Sequence, residues 1–177
     1  RFEYTCEDRP TTDASLAALD AALAGEPAYS KREREHNTVR ALADYLIGDG
    51  AGDALFTDLS TTGRYPKLQA WTNEGDDREL PATMVPQYGT LSFTLAGARR
   101  WVERDVPTRR VESDGFVPHG SVLAPGVVDA TDSIRVGDEV VIEGPKAFAV
   151  GRAEMAGTEM VESTRGVAAT VRHVEER

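Results

Sequence analysis

From Phe116 to His173 the chain reads FVPHGSVLAPGVVDATDSIRVGDEVVIEGPKAFAVGRAEMAGTEMVESTRGVAATVRH. Short Val/Ile/Ala runs alternate with glycine turns over nearly sixty residues. Runs this short cannot each bury a helical stripe. They can close into a small β-barrel, in which strands paired on both sides share one interior. The pattern predicts a mixed, mainly antiparallel barrel over residues 107–177.

Four elements in this stretch carry more than composition. Gly120-Ser121-Val122-Leu123 leads into Pro125-Gly126-Val127-Val128. Ile134-Arg135-Val136-Gly137-Asp138-Glu139-Val140-Val141-Ile142 feeds a strand from a Gly-Asp turn. Ala149-Val150-Gly151-Arg152-Ala153 and Arg165-Gly166-Val167-Ala168-Ala169-Thr170-Val171 each pair glycine with alanine. Turn chemistry explains each glycine singly, in any small barrel. The order of the four resembles the PUA domain, an RNA-binding pseudobarrel found at the C-terminus of RNA-modifying enzymes. That resemblance implies a short first helix opening near Gly120, whose N–H groups meet phosphate, and RNA lying between this helix and the last strand. The residues it implies for RNA are Gly120, Ser121, Val122, Gly126, Arg152, Arg165 and Gly166. His119, which adjoins Gly120, and Lys146 join them as candidates.

Upstream the idiom changes. Leu16, Leu19 and Leu23 predict a helix over 13–24. Ser30 and Glu33 form a capping box for a second helix, with Val39, Leu42, Ala43 and Leu46 as its buried stripe until Gly48. Lys31, Arg32, Arg34 and Arg40 make its first half basic, a solvated face paired to Glu33 and Glu35. Strands are expected at 65–72, 80–85 and 90–94, with a turn over 73–77. A last helix over 95–104 is anchored by Trp101, and Pro107 marks the passage into the barrel. The front, residues 1–106, is therefore an α+β domain. Within it, Gly63-Arg64-Tyr65-Pro66-Lys67-Leu68, Val85-Pro86-Gln87-Tyr88-Gly89-Thr90-Leu91 and Leu95-Ala96-Gly97-Ala98-Arg99-Arg100 resemble the domain that precedes PUA in archaeal archaeosine-biosynthesis enzymes, archaeosine synthase and its paralogue tRNA-guanine transglycosylase. The spaced pair of runs at 63–67 and 89–91 leans toward the synthase.

Charge narrows the setting. The 177 residues carry 30 Asp and Glu against 20 Lys and Arg, a net −10. Only Lys31, Lys67 and Lys146 are lysines, and the acidity is spread along the chain rather than held in a tail. An RNA binder usually shows a basic footprint. A lysine-poor, Ala/Gly/Val-rich acidic chain instead matches a protein of a salt-loving archaeon, where molar salt shortens the Debye length to about 3 Å. No apolar run approaches the roughly 20 residues of a membrane span. The first residue is Arg1, which reads as the start of a piece cut from a larger polypeptide. Cys6 has no partner for a disulfide and no metal-ligand spacing, in keeping with a cytoplasmic location.

No catalytic set is legible. Gly48, Gly50 and Gly52 miss phosphate-loop spacing, zinc-binding and nucleophile-elbow motifs are missing, and His36, His119 and His173 are scattered. By resemblance, the catalytic machinery belongs to an N-terminal barrel that this stretch does not include. The expected function is to bind tRNA, at its acceptor stem or 3′ end, so that a guanine-derived base of the D-arm reaches that remote domain. No cofactor or metal is expected. A second copy of the chain is a further candidate partner. The competing class is a protein-interaction scaffold that uses the same barrel without RNA.

Overall fold

The computed structural model describes residues 30–74 and 77–177, together with Thr5, Cys6, Arg9, Pro10, Ala21 and Ala24 of the preceding segment. Thr5–Cys6 (β1) and Arg9–Pro10 (β2) pair antiparallel. The helix expected over 13–24 lies outside the described residues except for Ala21 and Ala24, and the Cys6 side chain lies outside them too.

Residues 31–177 hold everything else as a single unit. Helix α1 (Lys31–Ile47) starts directly after Ser30 and buries Val39, Ala43 and Ile47; of the expected stripe, Val39 and Ala43 are buried, Leu42 and Leu46 are only half-buried against the same core, and Ile47 joins it. Its basic half is partly paired, Lys31 lying 3.6 Å from Glu35. A short helix follows, α2 (Ala51–Leu55), then β3 (Ser60–Arg64), β4 (Lys67–Glu74), β5 (Asp77–Val85) and β6 (Thr90–Phe93), which form an antiparallel meander in that order. Two expectations are corrected here. The strand placed at 65–72 begins only at Lys67, because Tyr65 and Pro66 form the turn of a hairpin whose first strand, β3, was not anticipated. The turn placed at 73–77 is shorter, since pairing continues to Glu74 and resumes at Asp77.

Helix α3 (Leu95–Glu103) is capped by Thr94, whose hydroxyl accepts from the Gly97 N–H at 3.2 Å. It lies tight on β5. A Cβ on Gly97 would overlap the Pro81 carbonyl, so only glycine fits. Trp101 is fully buried, stacks on Phe93 at 5.2 Å and donates its Nε1–H to the Pro107 carbonyl at 2.9 Å, as its assigned role of core anchor requires.

The C-terminal strands are β7 (Arg110–Ser113), β8 (Ser121–Leu123), β9 (Val127–Ala130), β10 (Glu139–Gly144), β11 (Ala147–Ala153) and β12 (Val167–Glu176), in the order β8-β12-β11-β10-β7-β9. All pairs are antiparallel except β7 with β10, giving the mixed, curled sheet expected. A short helix α4 (Gly157–Glu162) covers one end. Val140, Ile142, Ala149, Ala153, Ala168 and Ala169 point into the barrel. The alternate residues Val141, Phe148 and Val150 point the other way and complete the core made by α1, the meander and Trp101. Strands β10 and β11 are thus buried on both faces, which is why Ala147–Val150 reads as an unbroken apolar run.

Candidate nucleic-acid interface

The resemblance places a helix at Gly120; the structure places a strand there. Gly120 has φ +82° and leads directly into β8, and helical backbone comes only at Ala124–Gly126, as one 3₁₀ turn. The reason is local. Ser121 and Val122 are claimed by β12, Ser121 opposite Thr170 and Val122 opposite Ala169, and the Gly120 carbonyl accepts from Val171 at 2.9 Å. A three-residue turn is no anion-binding helix terminus, which leaves loop backbone and side chains as the groups at this edge able to meet a phosphate.

Several sequence candidates nevertheless meet at this edge. Gly166 (φ +101°) accepts a hydrogen bond from the Ala124 N–H at 3.0 Å, which draws the exposed Arg165 beside the 3₁₀ turn. Gly126 sits against the Phe116 ring, where a Cβ would come within 2.7 Å. Val122 is fully buried in the barrel core, so its side chain is structural. His119 and Gly120 are exposed on the entering loop. Across three strands Ser121, Thr170 and Arg152 stand in register on one face, and Glu139 ends the row.

Lys146 is elsewhere. It lies in the β10–β11 turn, its carbonyl accepting from Arg177 at 2.9 Å. It is therefore separated from Gly166 by the whole length of β12, about 30 Å at the usual rise per strand residue. Nearby is a cleft of about 670 Å³ lined by Arg110, Asp129, Glu143 and Arg177. Its arginines are spoken for, Arg110 at 3.1 Å and Arg177 at 3.4 Å from Glu143.

Two features of the face were not legible. Leu123, Val161 and Val167 are exposed aliphatics around Arg165 and Gly166, with Leu123 directly opposite Val167. Tyr88, from the β5–β6 turn, lies under the Arg152 guanidinium at 4.7 Å, so the row Ser121–Thr170–Arg152 continues onto an aromatic ring from the front part of the chain. The run Pro86-Gln87-Tyr88-Gly89 was the available signal, since an aromatic beside a turn glycine at φ +63° is held outward.

Glu139 fixes the end of the row. It accepts from Arg172 Nη1 at 2.8 Å, Arg172 Nη2 at 2.5 Å and the Phe93 N–H at 3.1 Å, while Arg172 also donates to the Phe93 carbonyl at 3.1 Å. Burial pushes its carboxyl up to about 7, against the lowering pull of Arg172 and the Phe93 N–H. Among the described residues no group of His, Cys, Asp and Glu side chains could hold a metal ion, and no helix is long and apolar enough to cross a membrane.

The C-terminal strands thus form a small mixed barrel with an open edge at β8, beside a 3₁₀ turn and flanked by positive-φ glycines and arginine. Residues 114–174 match the PUA domain, and residues 37–107 match the patch-forming domain C2 of tRNA-guanine transglycosylase. The chain carries these two domains in tandem and corresponds over its whole length to one part of longer proteins named archaeosine synthase. It is 63% identical over 177 residues to the archaeosine synthase of Haloferax volcanii, covering 99% of this chain and 30% of that protein. It is 40% identical over 176 residues to archaeosine synthase subunit alpha of Methanosarcina acetivorans, covering 98% of this chain and 27% of that protein. The chain thus spans under a third of the length of these relatives. Among solved structures, a crystal structure of a protein of unknown function superposes with a TM-score of 0.72 at 28% identity, over 97% of this chain and 57% of that one.

Proposed function

We propose that this chain is the tRNA-holding part of an archaeosine-biosynthesis enzyme. Residues 1–106 act as an α+β platform and residues 107–177 as the RNA-binding domain. The acceptor stem or 3′ end lies along β8 and the first half of β12, in contact with His119, Gly120, Ser121, Gly126, Arg165 and Gly166, and passes toward Arg152. Val122 holds the strand in place from the core. Lys146 belongs to a separate stretch of the surface and meets RNA only if the ligand runs the length of β12. The base to be modified, a guanine derivative of the D-arm, is presented to a catalytic domain elsewhere in the polypeptide. This chain binds and orients but does not react, needs no cofactor, and works in the cytoplasm of a salt-adapted cell, as a monomer or paired with a second copy.

The observation that carries this reading is the convergence of Gly120, Ser121, Arg165 and Gly166 on one open edge, continued by Thr170 and Arg152 in register. Loop backbone can approach phosphates closely there, and the arginines supply charge-assisted hydrogen bonds. Gel-shift titration of a transcript tRNA against the chain and its Arg165→Glu variant tests it. Arg165 is exposed, so the exchange leaves the fold unchanged, and the expected result is a loss of at least tenfold in affinity. Trimming the unpaired 3′ nucleotides from the tRNA should produce a comparable loss with the unchanged protein. Equal affinity for all four combinations would remove the assigned face.

A further inference from the structure

The outer face of the β3-β4-β5-β6 meander is charged in the sense opposite to the molecule. In β4, Leu68, Ala70 and Thr72 are fully buried, so Lys67, Gln69, Trp71 and Asn73 point outward. The register adds Thr62 and Arg64 from β3, opposite Gln69 and Lys67, and Arg78 and Thr83 from β5, opposite Asn73 and Gln69. Thr90 and Ser92 of β6 share the face. Among the described residues this face carries three cations and no carboxylate, in a protein of net charge −10. Arg64, Lys67 and Arg78 are exposed, and none is in an ion pair among the described residues.

Aromatic groups are set among these cations. The Arg78 guanidinium lies 4.4 Å over the Trp71 ring. The indole is locked in place, since its Nε1–H donates to the Thr62 hydroxyl at 2.9 Å and that hydroxyl donates to Gln69 Oε1 at 2.9 Å. Tyr65, at the tip of the β3–β4 hairpin between Arg64 and Lys67, is 58% exposed. A side chain that packs a core needs no such lock, and a solubilising surface in an acidic protein would be lined with carboxylates. Fixed aromatic and guanidinium planes between phosphate-seeking cations are what unpaired nucleotides require, bases stacking on the planes and the backbone following the charges.

We infer that this sheet face is a second RNA contact surface, distinct from the barrel edge, that takes unpaired nucleotides: a base stacks on the Trp71–Arg78 pair, and Arg64 and Lys67 hold the phosphates beside it. Trp71 lies four residues along β4 from Lys67, about 13 Å at the usual strand rise, so the surface accommodates a short run rather than a single nucleotide. The choice of RNA as ligand rests on the function proposed above; the location does not.

The test uses a single-stranded oligouridylate of eight nucleotides and tryptophan fluorescence of the intact chain. Trp101 is fully buried, so quenching reports Trp71. The expected result is saturable quenching, with Arg64→Glu/Lys67→Glu weakening it at least tenfold and Arg165→Glu at the barrel edge leaving it within twofold. Intact tRNA should protect its contacted loop nucleotides from ribonuclease with the unchanged protein but not with the double variant. Quenching that is missing at millimolar oligonucleotide, or that is insensitive to the double reversal, overturns the sheet site and leaves the barrel reading standing. Quenching lost equally through Arg165→Glu also overturns it, because the two surfaces would then be one.

Discussion

Removing Phe148 tests whether the barrel and the meander fold as one body. The residue sits on barrel strand β11, yet its ring is 2% exposed and belongs to the core built by α1, the meander and Trp101. Arg99 of α3 lies 4.9 Å over one part of the ring and Arg177 lies 5.6 Å away. Phe148→Ala removes a fully packed ring from a site walled by two sheets that cannot both collapse inward, which costs about 3–5 kcal/mol. The two half-exposed guanidinium contacts add about 1 kcal/mol together. For a chain of this size about 2–4 °C is lost per kcal/mol, so the melting temperature should fall by roughly 10–20 °C. The assay follows thermal unfolding by Trp101 fluorescence, which reports the front of the molecule, and by far-ultraviolet circular dichroism, which reports all of it. The two midpoints should coincide in the unchanged protein and fall together in the variant, while Phe148→Leu should cost about 1 kcal/mol. A fall of less than about 2 kcal/mol, or a dichroism transition that moves while the fluorescence midpoint stays, would refute a shared core.

Two further outcomes follow from charge. Glu139 takes up a proton near pH 7 in the folded protein against an ordinary value of 4.5, so its stabilising contribution is complete below about pH 4.5 and is lost as pH rises through 7. That interval corresponds to about 3 kcal/mol. Glu139→Gln, which keeps an acceptor for Arg172 and Phe93 but cannot ionise, should gain up to about that much on the unchanged protein between pH 4.5 and 7.5 in urea denaturation; a constant difference would mean that Arg172 outweighs burial. Thermal stability should also rise between about 0.1 M and 1 M KCl, where the Debye length falls from about 10 Å to 3 Å and carboxylate repulsion is screened. A midpoint that is flat or falling would contradict the salt-adapted reading of the net −10 charge.

The long elements were legible because their periodicity is imposed by burial on one side. Helix α1 and helix α3 with Trp101 inward both follow from residue spacing. What escaped the sequence depends on close approach between segments far apart in the chain. Gly52 looks like a loop glycine, yet it lies in α2, where a Cβ would sit 2.5 Å from the Arg40 carbonyl and only glycine lets the two helices approach. Gly157, at the start of α4, fits against the Thr131 carbonyl in the same way, and neither short helix carries a stripe wide enough to announce itself. At the barrel edge, the resemblance to the PUA domain implied a helix at Gly120, but pairing with β12 claimed the residues. The Trp71–Arg78 stack was hidden because cross-strand neighbours are set by register, and a bulge between Ala70 and Thr72 shifts that register at Trp71 itself.

Strand β12 changes phase partway along its length. Between Val150 and Gly151 of β11 its pairing slips by one, from His173 to Val171, leaving Arg172 as the extra residue. Ala169 and Val171 face the barrel before the slip and Val174 after it, so both ends keep their apolar side inward. Arg172 is thereby turned toward Phe93 and Glu139, and Glu175 reaches Arg99 at 2.5 Å. One end of this rod borders the proposed RNA edge and the other is bolted to the meander and α3. Tension applied by a bound nucleic acid near Thr170 would therefore travel along covalent backbone into the front of the molecule, without having to cross a sliding interface. Deleting the single extra residue would remove the Arg172 bonds to Phe93 and Glu139 and leave the shared core at Val141, Phe148 and Val150 as the remaining connection.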